Sequence, residues 1–191
     1  MNIAIVGATG NVGRKILEVL EKKGLVIDNL YLLASQKSAG KKVVFNSKDY
    51  EVLNLDSFDF SKTKIAFFAA GGKISEKFAE IAAKKSLVID NSSFFRMDPD
   101  VPLIVPQVNS NDLNNIKKNI IANPNCSTAQ LVIALKPLHD LFTIKRVVIS
   151  TYQSVSGGGK SPMDELIDQT KKVLNNKKIK SKNFTKQIAF N

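Results

Sequence analysis

The amino-acid sequence predicts an α/β protein in which helices cover both faces of a parallel sheet. Two observations support this prediction. Short, continuously apolar runs, which are typical of strands buried on both faces, alternate with segments in which apolar residues recur at helical spacing. The first run, residues 3–6, leads directly into a glycine-rich turn and a helix, as at the start of a doubly wound fold.

The predicted elements follow one another in a regular order. Apolar side chains at helical spacing predict a helix over residues 12–20, which Gly24 ends. Short runs of mostly aliphatic or aromatic residues predict further strands at 30–34, 65–68, 87–90, 119–122 and 146–152. Helical spacing predicts helices at 75–85, 127–135 and 161–173. The chain shows no internal repeat.

The composition excludes several classes of protein. Hydrophobic residues make up 43% and charged residues 24% of the 191, which is typical of a globular chain. No apolar run approaches the ~20 residues of a membrane helix, and residues 1–7 lack the pattern of a signal peptide. A single cysteine, Cys126, forms no internal disulfide, and a single histidine, His139, leaves little for zinc. We therefore expect a cytoplasmic protein without a metal site or a membrane span.

The net charge of +11 is concentrated near the carboxyl terminus. Residues 171–191 contain seven lysines and no acidic residue, so the remainder is only mildly basic. A nucleic-acid site is one interpretation, but no basic motif interleaved with aromatic residues accompanies these lysines. A solvated lysine-rich segment is favoured, and no nucleic-acid partner is expected.

Three glycines lie at the junction between the first strand and the first helix. Gly7 permits a tight turn, Gly10 allows the main chain to approach a pyrophosphate, and Gly13 allows close packing of helix and strand. The same spacing occurs in glycine turns of other α/β domains, but here it follows a buried strand and opens a helix. Residues 1–122 are therefore expected to form a Rossmann-like dinucleotide-binding domain.

The loop after the second predicted strand indicates which dinucleotide is bound. NAD sites usually place Asp or Glu there for the ribose hydroxyls. This chain instead has Ser35, Lys37 and Ser38, with further lysines at 41 and 42 and no acid. Lysines and hydroxyls suit a 2′-phosphate, so NADP is expected. A solvated basic loop is the alternative.

Cys126 follows a predicted strand and precedes an apolar helical segment. The helix dipole and the free N–H groups of a helix N-terminus favour a thiolate and could hold a developing oxyanion. An activated cysteine beside a dinucleotide suggests a thiohemiacetal, hydride transfer and then a thioester. An inert buried cysteine is the alternative, against which the polar flanks of Cys126 argue.

These motifs resemble the aspartate-semialdehyde dehydrogenase family over nearly the whole chain. The segments that carry the resemblance are residues 7–13, 35–41, 70–72, 89–98, 101–109, 123–128 and 151–159. Asn-Pro-Asn-Cys-Ser-Thr at 123–128 and Asn-Ser-Ser followed by Arg96 are together specific. The family makes aspartate semialdehyde from aspartyl phosphate and NADPH as a homodimer, on the route to lysine, threonine and methionine.

The resemblance also implies a role for individual residues. Cys126 would be the acylated nucleophile, and Asn125 would hold the acyl intermediate and the phosphate. Arg96 would bind phosphate or the acyl-phosphate group, and Gln153 would orient the substrate. The residues implied to bind NADP are Gly7, Thr9, Gly10, Asn11, Val12, Ser35, Lys37, Ser38, Gly71, Ser156 and Gly157.

The chain departs from the family pattern in three respects. Lys37 stands where arginine is usual, and Gln107 stands where glutamate is usual. Residues 123–191 are expected to be the incomplete start of an α+β catalytic and dimerisation domain, so the acid/base histidine and the carboxylate-binding arginine are absent. His139 is expected to be an exposed helical residue that replaces neither, and the chain alone is not expected to turn over substrate.

Two other functions remain open at this stage. N-acetyl-glutamyl-phosphate reductase shares the glycine turn and a cysteine, but its motif usually reads Pro-Gly-Cys where this chain has Pro-Asn-Cys. A non-catalytic NADP-binding module would leave the thiol without an acid/base partner.

Overall fold

A seven-stranded sheet organises the first part of the chain, in the spatial order β3-β4-β2-β1-β5-β6-β7. The computed structural model describes all 191 residues. The strands are β1 (Asn2–Val6), β2 (Asn29–Ala34), β3 (Lys42–Phe45), β4 (Lys48–Asn54), β5 (Ile65–Phe68), β6 (Leu87–Asp90) and β7 (Ile120–Ala122). Neighbouring strands are parallel except β3 and β4. The predicted Rossmann-like α/β fold is confirmed.

Five α-helices connect or follow the strands. They are α1 (Asn11–Lys22), α2 (Gly72–Ala83), α3 (Pro106–Asn109), α4 (Cys126–Phe142) and α5 (Lys160–Leu174). The predicted helices are all present, but α4 continues past Pro137, beyond its expected end at residue 135. Nζ of Lys136 and Oδ1 of Asp140, on either side of this proline, form an ion pair with a separation of 2.6 Å. No helix combines the length and the apolar character needed to cross a membrane.

Side chains from alternate positions of β1 are buried on opposite faces of the sheet. Ala4 and Val6 join the hydrophobic cluster that includes Phe78 of α2, whereas Ile3 and Ile5 join the cluster that includes Leu17 of α1. Full burial of one such aliphatic side chain contributes about 1.5–3 kcal/mol. Burial on both faces explains why this strand is continuously apolar in sequence.

A hairpin that the sequence analysis did not predict lies at one edge of the sheet. Strands β3 and β4 pair antiparallel, with Phe45 opposite Lys48. The two residues between them, Asn46 and Ser47, have φ values of 48° and 60°. Such two-residue turns usually carry glycine, and here Asn-Ser replaces the common Asn-Gly signal.

The strand predicted at residues 146–152 is wrong. Residues 143–154 form neither strand nor helix, and the side chains of Val148 and Tyr152 are exposed. A β-strand is stable only when its main-chain groups pair with a neighbour, and none pairs with this segment. An apolar, β-branched run is therefore not sufficient to form a strand.

The chain divides into two compact units, Met1–Val147 and Val148–Asn191. The domain boundary expected after residue 122 stays a prediction. In the second unit, Glu165 of α5 accepts hydrogen bonds from the main-chain N–H groups of Lys182 and Asn183, at 2.8 and 2.6 Å. Gln169, which is fully buried, accepts one from Ile188 at 2.9 Å. Side chains of α5 thus order the lysine-rich segment that follows it.

Candidate active site

The carboxyl ends of five parallel strands meet at one edge of the sheet. Strands β1, β2, β5, β6 and β7 run in the same direction and are adjacent in the order β2-β1-β5-β6-β7. Loops that leave this edge carry the glycine turn, the serine–lysine loop, Gly71, Arg96 and Cys126. Ligands of open α/β sheets bind at this edge.

Gly7 makes the tight turn that the sequence predicts. Its φ is +85°, and its N–H donates to the main-chain oxygen of Leu33 at 2.8 Å. A Cβ atom at Gly7 would lie 2.8 Å from the main-chain carbon and oxygen of Ala69. Glycine is therefore required at this position both by the conformation and by the space.

The turn delivers the N-terminus of α1 to the edge of the sheet. Gly10 is the N-cap residue, and its N–H donates to the main-chain oxygen of Gly7 at 3.0 Å. A Cβ atom at Gly13 would lie 2.8 Å from the Cα atom of Ala8, so the predicted close packing is present. The first turn of α1 contains no acidic side chain. Its dipole and N–H groups are thus uncompensated by carboxylates, as a pyrophosphate site requires.

The loop after β2 begins with a short 3₁₀ turn, Gln36–Ser38. Ser35 and Lys37 are exposed, and Ser38 is half-buried. The N–H of Ser38 donates to the main-chain oxygen of Ser35 at 2.8 Å. Lys37 forms no ion pair within the chain. Its ammonium group is therefore available to a ligand anion beside the glycine turn.

Gly71 is the N-cap of α2, directly beyond β5. Its φ is +87°, and no heavy atom lies within 4 Å of the position that a Cβ would take. The first turn of α2 also lacks an acidic side chain. A second helix N-terminus without acidic residues thus lies at the same edge of the sheet.

Arg96 connects the ends of β6 and β7. Its Nε–H donates to the main-chain oxygen of Asn123 at 3.0 Å, and its Nη2 donates to the main-chain oxygen of Asn91 at 3.2 Å. The amide Nδ2 of Asn123 donates to Oδ1 of Asn91 at 2.7 Å. Sequence reasoning assigned no role to these two asparagines, because their pairing depends on two strands that are distant in sequence.

Cys126 is the first residue of α4, and its thiol is exposed. Asn125 is the N-cap residue, and its Oδ1 accepts from the main-chain N–H of Ser127 at 2.9 Å. The Sγ atom of Cys126 lies 3.8 Å from the same oxygen. The predicted place at a helix N-terminus is confirmed, and the alternative of a buried cysteine is wrong.

Three of the predicted site residues lie together in the second unit. Gln153 precedes the 3₁₀ turn Val155–Gly158, and Oγ of Ser154 and Oγ of Ser156 are 2.7 Å apart. A Cβ atom at Gly157 would lie 2.8 Å from Nε2 of Gln153, so the glutamine side chain lies against this turn. The structure thus groups Gln153 with Ser156 and Gly157.

His139 is an exposed residue in the last turns of α4, as the sequence predicts. Its main-chain oxygen accepts from the N–H of Thr143 at 2.8 Å. No group of three or more His, Cys, Asp and Glu side chains is placed to hold a metal ion.

The doubly wound sheet, its glycine turn and the carboxylate-free N-terminus of α1 define a dinucleotide-binding protein. Residues 2–116 match the NAD-binding domain of semialdehyde dehydrogenases, and residues 135–191 match the semialdehyde dehydrogenase dimerisation domain. The chain belongs to the semialdehyde dehydrogenase family.

Curated relatives with substantial identity match along the chain. It is 51% identical to aspartate-semialdehyde dehydrogenase 2 of Vibrio cholerae and 52% identical to aspartate-semialdehyde dehydrogenase of Rickettsia bellii, covering 100% of this chain and 57% of each relative. The crystal structure of aspartate semialdehyde dehydrogenase II from Vibrio cholerae, complexed with ASA, matches with a TM-score of 0.92 and 50% identity, covering 100% of this chain and 57% of that one. The chain thus spans a little over half the length of these relatives.

Proposed function

We propose that this chain carries the cofactor-binding and acyl-transfer residues of an NADP-dependent aspartate-semialdehyde dehydrogenase. Such an enzyme converts aspartyl phosphate, NADPH and a proton to aspartate semialdehyde, phosphate and NADP⁺. The observation that carries the proposal is the position of Cys126, which begins α4 three residues after the main-chain oxygen that Arg96 contacts. The names of relatives that are about half identical support it.

Cys126 acts as the nucleophile in this proposal. Its thiolate sulfur attacks the carbonyl carbon of the acyl phosphate, the bond from that carbon to the phosphate oxygen breaks, and phosphate leaves with the bonding electrons. The product is a thioester on Cys126. The N–H groups and the dipole at the start of α4 stabilise the oxyanion that forms during the attack.

Arg96 binds the phosphate group. Two of its N–H groups are used on main-chain oxygens, which hold the guanidinium plane in place. An arginine side chain has about five N–H donors, so the others are available to phosphate oxygens. Asn125, adjacent to the thiol, holds the acyl intermediate and the phosphate, and Gln153 orients the substrate.

The dinucleotide is proposed to be NADP, whose reduced form, NADPH, would supply the hydride that reduces the thioester. The glycine turn and the N-terminus of α1 fit a pyrophosphate because they present N–H groups without a carboxylate. Lys37, with Ser35 and Ser38, fits a 2′-phosphate, which the ribose of NAD lacks. The full set proposed to bind the cofactor is Gly7, Thr9, Gly10, Asn11, Val12, Ser35, Lys37, Ser38, Gly71, Ser156 and Gly157.

The proposal includes a homodimer acting in the cytoplasm on small molecules and phosphate. The match of residues 135–191 to a dimerisation domain supports the homodimer. An N-acetyl-glutamyl-phosphate reductase is not favoured, because Asn125 stands where that family usually has glycine and the relatives described above are named differently.

The test uses the chain's single cysteine as its reporter. Iodoacetamide alkylation of Cys126, followed by mass spectrometry, is measured with increasing phosphate at constant ionic strength set by chloride. We expect phosphate to slow alkylation saturably, because bound phosphate lies beside the thiol. Alkylation at one rate throughout the titration would instead favour a non-catalytic dinucleotide-binding module.

A further inference from the structure

Asp90 ends β6 with its side chain fully buried at the edge of the sheet that carries the candidate site. Oδ1 accepts hydrogen bonds from Oγ of Ser75 at 2.6 Å and from the main-chain N–H of Ser92 at 3.0 Å. Oδ2 accepts from Oγ of Ser92 at 2.7 Å. No lysine or arginine pairs with this carboxylate, so serine side chains and one amide provide all its partners.

We propose that Asp90 is a positioning residue that sets the place of Arg96 through Ser92 and the place of the α2 N-terminus through Ser75. The inference rests on the proposed function of Arg96 as the phosphate ligand. The buried carboxylate of Asp90 would align both the loop that carries Arg96 and the N-terminus of α2, which lies on the cofactor side of the site.

The connection towards Arg96 passes through the turn at residues 92–94. Ser92 donates its hydroxyl to Asp90 and accepts the main-chain N–H of Phe94 at 3.1 Å. Phe95, only 2% exposed, fixes the next position in the core. Arg96 then returns to the main-chain oxygen of Asn91, directly beside Asp90. The loop of residues 91–96 is therefore held at its start by the carboxylate of Asp90 and at its end by the guanidinium of Arg96.

The connection towards the cofactor side passes through α2. Ser75 is fully buried in the first turns of this helix, and its main-chain N–H donates to the oxygen of Gly71 at 3.2 Å. The main-chain oxygen of Asp90 also accepts from the N–H of Asn123 at 2.8 Å, on the segment that leads to Cys126. Asp90 thus contacts α2, the loop that leads to Arg96 and the segment that leads to Cys126.

The position suits a side chain with two acceptor oxygens, because three donors converge on it. A buried charge is unfavourable unless hydrogen bonds compensate it, and each of its two oxygens here faces at least one donor. An asparagine offers one acceptor oxygen and places an NH₂ group where Oδ2 accepts from the Ser92 hydroxyl, so that hydroxyl has to turn and accept instead. Asp90→Asn therefore keeps the volume while disturbing the alignment of the two serines.

The experiment separates the two connections. Ser92→Ala, Ser75→Ala and Asp90→Asn are compared in the 191-residue chain by phosphate protection of Cys126 and by NADPH fluorescence titration. We expect Ser92→Ala to weaken phosphate protection about tenfold, the value of one lost buried hydrogen bond, while NADPH affinity stays within about twofold. Ser75→Ala is expected to weaken NADPH binding while phosphate protection stays nearly unchanged. Asp90→Asn should weaken both phosphate protection and NADPH binding. Ser92→Thr, which keeps the hydroxyl, should restore phosphate protection.

Ser86→Ala provides the matched control. Ser86 is also a buried serine whose hydroxyl donates to a main-chain oxygen, that of Phe60 at 2.9 Å, but it precedes β6 at the opposite edge of the sheet. The Ser86→Ala variant should lower the free energy of unfolding without changing phosphate protection or NADPH affinity. If Ser92→Ala lowers stability but leaves phosphate protection unchanged, as expected for Ser86→Ala, Asp90 has only a structural role. The inference then fails while the proposed function stands. If phosphate does not protect the wild-type chain, both fail.

Discussion

Arg96 donates its Nε–H to the main-chain oxygen of Asn123 at 3.0 Å, which ties the loop after β6 to the segment that leads to Cys126. Consecutive Cα atoms are about 3.8 Å apart, so the Cα atoms of residues 123 and 126 lie within about 11 Å of each other. A guanidinium and a thiol that are distant in sequence are thereby held at the same edge of the sheet. This relationship supports a site for a phosphorylated acyl group.

Arg96→Gln should remove most of the phosphate protection of Cys126. A hydrogen bond to a charged group contributes about 1.5–3 kcal/mol, so the phosphate concentration needed for half protection should rise by about tenfold or more. Arg96→Lys should recover only part of it, because an ammonium lacks the planar fork. Arg146→Gln is the control, since Arg146 is exposed and makes no ion pair. Equal protection in Arg96→Gln and Arg146→Gln would remove Arg96 from the site.

Lys37→Ala should lower the preference of the chain for NADPH over NADH. One charge-assisted contact to the 2′-phosphate is lost, and the ratio of the two dissociation constants should fall by about tenfold. Fluorescence titration with both reduced cofactors measures this ratio. Lys64→Ala is the control, because Lys64 is exposed and precedes β5 at the opposite edge of the sheet. A wild-type chain that binds NADH as tightly as NADPH would contradict the assignment of NADP.

Gly13→Ala should destabilise the first unit, because the new Cβ would lie 2.8 Å from the Cα atom of Ala8. Overpacking of this kind costs about 1–3 kcal/mol. Gly72→Ala, also at the start of a helix, should be neutral or stabilising by up to about 1 kcal/mol, since its nearest neighbour would be 3.9 Å away. Urea denaturation followed by circular dichroism compares the two variants. Equal free energies of unfolding would show that α1 moves away from the turn at little cost.

The second unit should lose stability in acid through Glu165. Burial raises the pKa of this carboxyl, but hydrogen bonds from Lys182, Asn183 and Gln169 outweigh burial and lower the pKa below its ordinary value of 4.5. A carboxyl whose pKa is lower in the folded state stabilises that state fully above pH 4.5, and the stabilisation is lost as the pH falls through the folded-state pKa. The protection factors of residues 182–189 in amide hydrogen exchange, which correct for the intrinsic pH dependence of exchange, should therefore fall below that range.

Glu165→Gln should remove most of this pH dependence, because glutamine does not titrate. Asp164→Asn is the matched control, since Asp164 is an exposed neighbour paired only with Lys160. An unchanged acid response in Glu165→Gln would assign the loss of stability to other carboxylates.

The parts of the site that the sequence predicted are encoded locally. The turn at Gly7 needs a positive φ, which glycine adopts readily, and Cys126 begins a helix because Asn125 before it is an N-cap residue. In both cases the signal and the structure lie within a few residues of each other. Such features can be predicted from a single chain.

The parts that were missed depend on distant partners. Asp90 could be recognised only as an acid that ends an apolar strand, because the serine on α2 that binds it is 15 residues away. The segment 146–152 has the composition of a strand, yet no neighbouring strand pairs with it. Pairing and burial are decided by tertiary structure, which composition and periodicity do not contain.

In the proposed reaction, Cys126 accepts an acyl group from an acyl phosphate held by Arg96. Acetyl phosphate, the simplest acyl phosphate, tests it directly when its transfer to the chain is followed by mass spectrometry. We predict one hydroxylamine-sensitive acetyl group, which is absent in Cys126→Ser. It should form faster than free cysteine is acetylated. In Arg96→Gln its rate of formation should fall by about tenfold or more. Acetylation of Cys126 at the rate of free cysteine, unchanged by the loss of Arg96, would show that the two residues do not form an acyl-phosphate site.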